Sequence, residues 1–350
     1  MKKTKKIAIL GPVGIAMPPR KQGGIEWIVH YLSEGLKQNG WPLLLFAPKT
    51  TKTKVKLVPV CEKPIAEYKL GKEAEASRRL RMELSILKNT KIEILKRKKQ
   101  IDLVFNHMVE GGLFADLEKE LGVPVYHVLH LPLYQELAQI YQKTKAKLIS
   151  ISNNQRKRFP RLNYRATIYN GIAVEQFLFS KKAGDYFLFA GKMRKSKNPL
   201  GAIKAAKIAK EKLILVGKIS DREYFLKKIK PRLNKEIVHL GEVSFSQIKK
   251  LYSKAKALLV PINWEEPFGL VMIESMASGT PVIAFNKGSV PEVIKDKKTG
   301  FIVNNVKSMA EAMKQVDMIK RENCRKYVID NFSHEKMIKE YEKICLKELF

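Results

Sequence analysis

Two carboxylates, Glu266 and Glu274, stand eight positions apart in NWEEPFGLVMIESMASGTPVIAFNKGSVPEV, the stretch from Asn263 to Val293. An ionised carboxylate only accepts hydrogen bonds and can hold a pair of sugar hydroxyls. Acids and Pro267 ahead of the apolar run Leu270 to Ala277, with Gly279 behind it, predict a helix starting near Phe268. At about 3.6 residues per turn, Glu274 then lies about two turns in, while Glu266 precedes the amino end. The first-turn N–H groups around Phe268, Gly269 and Leu270 lack intrahelical acceptors, which suits an anion such as a diphosphate. Taken alone, a pair at this spacing reads first as an acid complementing the helix dipole and a second on a solvated face.

Three other groups have chemical potential. Lys192, Arg194, Lys195 and Lys197 in GKMRKSK directly follow the apolar run Tyr186 to Ala190. Cations in that place can clamp a diphosphate or simply form a solvated turn. Gly23 and Gly24 precede a helix and let backbone approach a ligand closely, as they would in an ordinary turn. His107, His127 and His130 fall near the ends of two predicted strands; His127 alternates with its neighbours as a structural residue does.

The elements that must position these groups alternate between strand and helix. Strands are predicted at Ile7 to Leu10, Leu43 to Phe46, Asp102 to Asn106, Pro124 to Leu129, Lys147 to Ile151 and Ala166 to Tyr169. Further strands follow at Tyr186 to Ala190, Lys212 to Gly217, Val238 to Gly241, Ala257 to Pro261 and Pro281 to Phe285. Pro281 to Phe285 is brief and fully apolar, the kind of strand that a parallel sheet buries on both faces. The helices are Ile25 to Gln38, Lys72 to Gln100, Leu200 to Ala209, Ser246 to Lys256, Ser308 to Lys320 and Glu335 to Leu349, besides the one near Phe268. In the second of these, Leu80, Leu84, Leu87 and Leu95 share one side, which reads as an inner domain face. A basic amphipathic helix lying on an anionic membrane has the same pattern.

The 350 residues suffice for two domains, and 45 % apolar content fits a folded protein. A net charge of +33, from 67 basic and 34 acidic residues, asks for an anionic partner or reflects lysines scattered over the surface. No nucleic-acid reading module is present, so nucleic acid is not the expected partner. Cys61, Cys324 and Cys345 form no C-x-x-C pair, which fits a reducing compartment and no structural zinc. The opening MKKTKKIAILGPVGIAM superficially copies a leader peptide, but Gly11, Pro12 and Gly14 interrupt it and a first strand fits better. No D-x-D cluster is available for a divalent metal, and the first βα turn lacks G-x-G-x-x-G, which disfavours a nicotinamide dinucleotide.

EPFGLVMIE, followed by GTPVIA, GSVPE and TGFIV, closely resembles the signature of the retaining glycosyltransferases of family four, also called glycosyl transferases group 1. The resemblance implies the GT-B fold: α/β, two facing doubly wound Rossmann-like domains with an interdomain cleft. The first would span residues 1–178 on the acceptor side, the second 185–333 on the nucleotide-sugar side, with 179–184 as linker and the helix 334–350 packing back on the first. It implies transfer of a hexose from a nucleotide diphosphate sugar to an acceptor hydroxyl with retention, without metal or cofactor. Glu266 would then contact the donor sugar and Glu274 the ribose, with Phe268, Gly269 and Leu270 at the diphosphate. Lys197 matches the family's diphosphate lysine, whereas Lys192 stands where the family has arginine, losing the planar fork that Arg194 could supply. HVLHLP is similar to the family's H-x-x-H-x-P, so His130 matches its active-site histidine, with Leu131 where glycine is frequent. PPRKQGGIE resembles the glycine loop, giving Gly23 and Gly24 to the acceptor and phosphates. Ala173 replaces the aspartate of the family's N-G-I-D, a turn former. The implied partners are a nucleotide sugar and an acceptor the sequence does not identify; the excess positive charge adds an anionic membrane surface as an expected partner, with the chain cytoplasmic at the inner membrane face. A non-catalytic sugar-nucleotide or polyanion-binding protein on the same fold is the alternative.

Overall fold

The computed structural model describes residues 4–19, 23–68, 75–109 and 111–350. Contacts divide the chain into two units: Met1–Ile151 with Arg156–Tyr169 and His334–Phe350, and Ser152–Gln155 with Asn170–Ser333. Asn170 to Leu178, expected at the end of the first domain, therefore count with the second. There Ile172 bridges to Ser333, and Arg325 Nη1 donates to the carbonyls of Phe177 and Ala277 at 3.1 and 2.6 Å.

The first unit is built on seven parallel strands: β1 (Ile7–Leu10), β2 (Leu43–Ala47), β3 (Lys56–Pro59), β4 (Leu103–Asn106), β5 (Val125–Leu129), β6 (Lys147–Ser150) and β7 (Tyr164–Thr167), in the order β3-β2-β1-β4-β5-β6-β7. Ile7 pairs with Leu43 on one side and Leu103 on the other, so β1 is an interior strand and the order in which strands are added reverses between β1 and β4. Every residue of β1, β2, β4 and β5 is buried, as their largely apolar text requires, and the two polar members, Asn106 and His127, bond each other. β3 is half exposed at the sheet edge and carries Lys56, so its text lacked the apolar run that marks a strand.

The helix Ile25–Gln38 buries Ile28, Val29, Leu32 and Leu36, spaced at helical intervals, and turns off at Gly40 with φ 83°. The terminal helix His334–Leu349 does the same with Met337, Ile338, Tyr341, Ile344 and Cys345. Burying such large apolar side chains stabilises the unit by about 2 kcal/mol each, before ordering entropy. Tyr341 meets Phe105 edge-on at 5.1 Å, and Glu342 accepts from the Trp41 indole at 2.9 Å.

The basic helix is Glu75–Leu95, and the expected turn from Lys72 lies outside the described residues. Its leucine stripe does not form one inner face. Leu87 is buried and Leu95 packs against the core, but Leu80 and Leu84 are 56 % and 45 % exposed. The helix packs on the core through Met82, Ile86 and Leu87.

The second unit repeats the plan with β8 (Tyr186–Ala190), β9 (Lys212–Val216), β10 (Ile237–His239), β11 (Leu258–Val260), β12 (Val282–Phe285) and β13 (Gly300–Val303), ordered β10-β9-β8-β11-β12-β13 and all parallel. The order in which strands are added reverses between β8 and β11. Asn198 caps the helix Pro199–Ala209 by accepting from Gly201 N, and Ser244 with Gln247 forms a capping box for Phe245–Lys254. An additional helix, Arg321–Phe332, was hidden because its mixed polar text has little periodicity. Its first residue, Arg321, is buried.

Candidate functional site

In open parallel sheets, ligands sit beyond strand carboxyl ends where the strand order reverses. In the second unit that point lies between β8 and β11, and the two loops leaving these strands carry Lys192 to Lys197 and Trp264 to Gly269. The loops meet. The Lys197 ammonium donates to Glu266 Oε2, and Asn263 N donates to Ser196 O at 2.9 Å. The Trp264 indole Nε1 donates to the same Glu266 Oε2 at 2.9 Å, and its ring lies 5.0 Å from the Lys197 ammonium and 5.9 Å from the Arg194 guanidinium. Arg194 is steadied by donating from Nε to Ser196 Oγ at 2.6 Å. Lys192 is exposed and takes no part in this cluster. Trp264 was given no role from sequence; an aromatic two residues ahead of a loop carboxylate was the available signal.

Glu266 is fixed by its backbone as well. Ser289 N donates to its carbonyl at 3.0 Å, and Gly288, with φ 58°, runs so close that a Cβ there would meet Glu266 N at 2.3 Å. Only glycine suits both that conformation and that approach.

The helix begins at Leu270 rather than Phe268, because Gly269 adopts a left-handed φ of 80° as its N-cap. Phe268 is a buried side chain, and its carbonyl accepts from Ser289 Oγ at 2.7 Å. The N–H groups of Gly269 and Leu270 find no acceptor among the described residues, leaving the helix end with donors for an anion. Glu274, in the middle of this helix, is partly buried, and Tyr252 Oη donates to its Oε2 at 3.0 Å. Burial pushes the Glu274 carboxyl up to about 7, and the Tyr252 hydroxyl lowers it only in part. Tyr252 lies 22 residues upstream, and its local text gave no sign of this pairing.

In the first unit, His107 follows β4 and His130 follows β5, both buried. Their rings are joined through His107 Nδ1 and His130 Nε2 at 2.9 Å. Burial lowers both, His130 to about 4 and His107 well below the ordinary value, the neighbouring His130 adding to the effect on His107. Both rings are therefore neutral at pH 7. His127 bonds Asn106 Nδ2 at 3.1 Å inside the core, a structural place. Gly23 and Gly24 open the helix Ile25–Gln38 after the β1 loop. A Cβ on Gly23 would meet Pro19 at 2.6 Å, so close packing accounts for that glycine. Arg20, Lys21 and Gln22 of the same loop lie outside the described residues.

Among the described residues, no helix is long and apolar enough to cross a membrane. Residues 174–333 match the family described as Glycosyl transferases group 1. The chain is similar to an O-antigen chain mannosyltransferase of Salmonella typhimurium, 34 % identical over 158 residues that cover 44 % of each chain. It also resembles an uncharacterized glycosyltransferase of Methanocaldococcus jannaschii, 30 % identical over 269 residues covering 70 % of this chain and 75 % of the relative. The chain spans less than half the length of the first curated relatives it matches. In fold it is similar to Anabaena HepE, solved in complex with UDP and glucose, with a TM-score of 0.75 at 16 % identity over 98 % of this chain and 100 % of that one. With the sheets, the signature loops and these likenesses in agreement, the chain belongs to the glycosyl transferases group 1 family and has the GT-B fold.

Proposed function

We propose that this protein transfers a hexose from a nucleoside diphosphate sugar to an acceptor hydroxyl, with retention of anomeric configuration and without a divalent metal. The observation that carries this reading is the meeting of Lys197, Glu266 and Trp264 at the β8/β11 reversal, beside the open N–H groups of Gly269 and Leu270. Cations and amides held there can neutralise the charge that develops on a departing nucleoside diphosphate. Lys197 and the helix end bind the diphosphate, with Lys192 and Arg194 supplying further charge. Glu266 receives a hydroxyl of the donor sugar, and Glu274 receives the ribose. From the first unit, His130 is assigned to the sugar or acceptor, and Gly23 with Gly24 to the acceptor loop. The mannosyltransferase relative and the UDP-bound neighbour support a nucleotide-sugar donor.

The same reading places the chain against an anionic membrane. Leu80 and Leu84 are exposed one turn apart, flanked by exposed Arg78, Arg79, Arg81 and Lys88. Apolar side chains among cations suit insertion at an anionic lipid surface.

The test is incubation with each common nucleotide sugar in EDTA, measuring nucleotide release and protection against thermal unfolding. One donor should succeed in both assays, and NMR of the product should show the donor's anomeric configuration. Failure of every donor in both, with and without added metal, defeats the proposal.

A further inference from the structure

We infer that Trp264 is a positioning residue: its indole N–H holds Glu266 in place while the Lys197 ammonium passes to the donor diphosphate. The inference rests on the proposed function and deepens it. As the structure stands, both Lys197 and Trp264 direct their hydrogen bonds to Oε2 of Glu266, and Oε1 accepts no hydrogen bond among the described residues. One carboxylate oxygen is thus held from two sides, and the other is open to a sugar hydroxyl.

The two holders respond differently to a diphosphate. The ammonium is a point charge with three rotatable donors on a flexible stem, so it follows the stronger anion. A diphosphate carries more charge than one carboxylate, and Lys197 already sits within reach of the loop that would receive it. The indole N–H is neutral and has only two side-chain torsions, so an arriving phosphate gives it little reason to move. Without that N–H, departure of the ammonium would leave Glu266 with no side-chain partner at the step when its sugar-facing oxygen must stay placed. In the structure the Arg194 guanidinium lies 5.9 Å from the indole ring, a contact on the ring face that is separate from the indole hydrogen bond.

Indole ¹⁵N–¹H spectra test this directly, because the chain has three tryptophans and Trp264→Phe assigns the relevant signal. Titration with UDP, ADP and GDP should leave the Trp264 N–H at a hydrogen-bonded shift at saturation, whereas Glu266→Gln should move it without nucleotide. In transfer assays Trp264→Phe should lower kcat about ten-fold or more, with donor KM changed less than about two-fold. Its effect should be largely absent in a Glu266→Gln background. Saturable nucleotide binding accompanied by loss of the indole hydrogen bond overturns the inference while leaving the proposed function standing. So does a Trp264→Phe variant that loses donor affinity and keeps kcat. Absence of saturable binding by any nucleoside diphosphate defeats the proposed function and this inference with it.

Discussion

His107 Nδ1 and His130 Nε2 share one hydrogen bond of 2.9 Å, while His107 Nε2 is buried with no partner among the described residues. A proton on that Nε2 would be a buried, unpaired N–H, which costs more than an unpaired lone pair. The proton of His107 therefore sits on Nδ1 and is donated to His130, whose own proton must lie on Nδ1. Long-range ¹⁵N spectra should show both rings as Nδ1–H tautomers, and His107→Leu should release His130 to the commoner Nε2–H form. Both pKa values are lowered, so the unfolded chain takes up protons first as pH falls below about 6.5, and stability declines over that range. The drop in Tm from pH 7.5 to 5 should be smaller in His107→Leu than in wild type.

Glu274 gives the opposite pH dependence. Its carboxyl is raised to about 7, above its unfolded value, so the folded state holds the proton more tightly between those values. Its stabilising contribution is present below pH 4.5 and is lost as pH rises through 7. Glu274→Gln keeps an acceptor for Tyr252 but does not ionise. The variant should match wild type near pH 4.5 and exceed it at pH 8 by about 3 kcal/mol. Donor affinity should move the other way: in wild type it rises through pH 7 as the carboxylate forms, and in Glu274→Gln it is weaker and flat. A pH-independent stability difference between the two proteins would contradict the burial argument.

The central strands and the signature loop were legible because their text is governed by local rules: unbroken apolar runs for strands buried on both faces, and acids and proline ahead of a helix. What stayed hidden depends on distant partners. Tyr252 reaches Glu274 only because the helix Phe245–Lys254 lies beside Leu270–Ala277, and Trp264 meets Lys197 only because β8 and β11 are neighbours that the chain joins 67 residues apart. Leu80 and Leu84 follow a helical stripe that sequence assigns to the core. Their exposure shows that the helix meets the core through Met82, Ile86 and Leu87 instead, contacts that the spacing of the leucines does not disclose.

Lys192 stands at the family's arginine position, yet it is exposed, while Arg194 is tied to Ser196 and lies over Trp264. Arg194 is better placed to supply the second cation at the diphosphate. Arg194→Ala should weaken nucleoside diphosphate binding about ten-fold, and Lys192→Ala less than about three-fold, by calorimetry at low salt. The reverse order would return the role to Lys192.

Leu80 and Leu84 should insert when the protein meets an anionic bilayer. Sedimentation with phosphatidylglycerol vesicles should fall at least about ten-fold in Leu80→Glu/Leu84→Glu and persist in part at high salt in wild type, since apolar burial is not screened. Binding that disappears with salt and ignores the double substitution would mean that only the +33 net charge is at work.

Arg321 is buried and donates to the carbonyls of Ser180, Ala255 and Ser253 at 2.7, 2.9 and 2.8 Å and to Thr280 Oγ1 at 2.6 Å. All four acceptors are neutral, and burial lowers the Arg321 pKa. The planar guanidinium fans its donors to four separate acceptors, joining the start of Arg321–Phe332 to the segments before β8, β11 and β12. Lysine offers three donors from one point and cannot span that arc. Arg321→Lys should therefore leave buried carbonyls unpaired and destabilise the unit by about 3 kcal/mol, read as a fall in Tm of several degrees. Because none of the four acceptors belongs to the Lys197–Glu266–Trp264 cluster, nucleotide affinity measured well below the new Tm should stay within about two-fold of wild type. A variant that keeps its Tm would show that water satisfies these carbonyls as well as the guanidinium does.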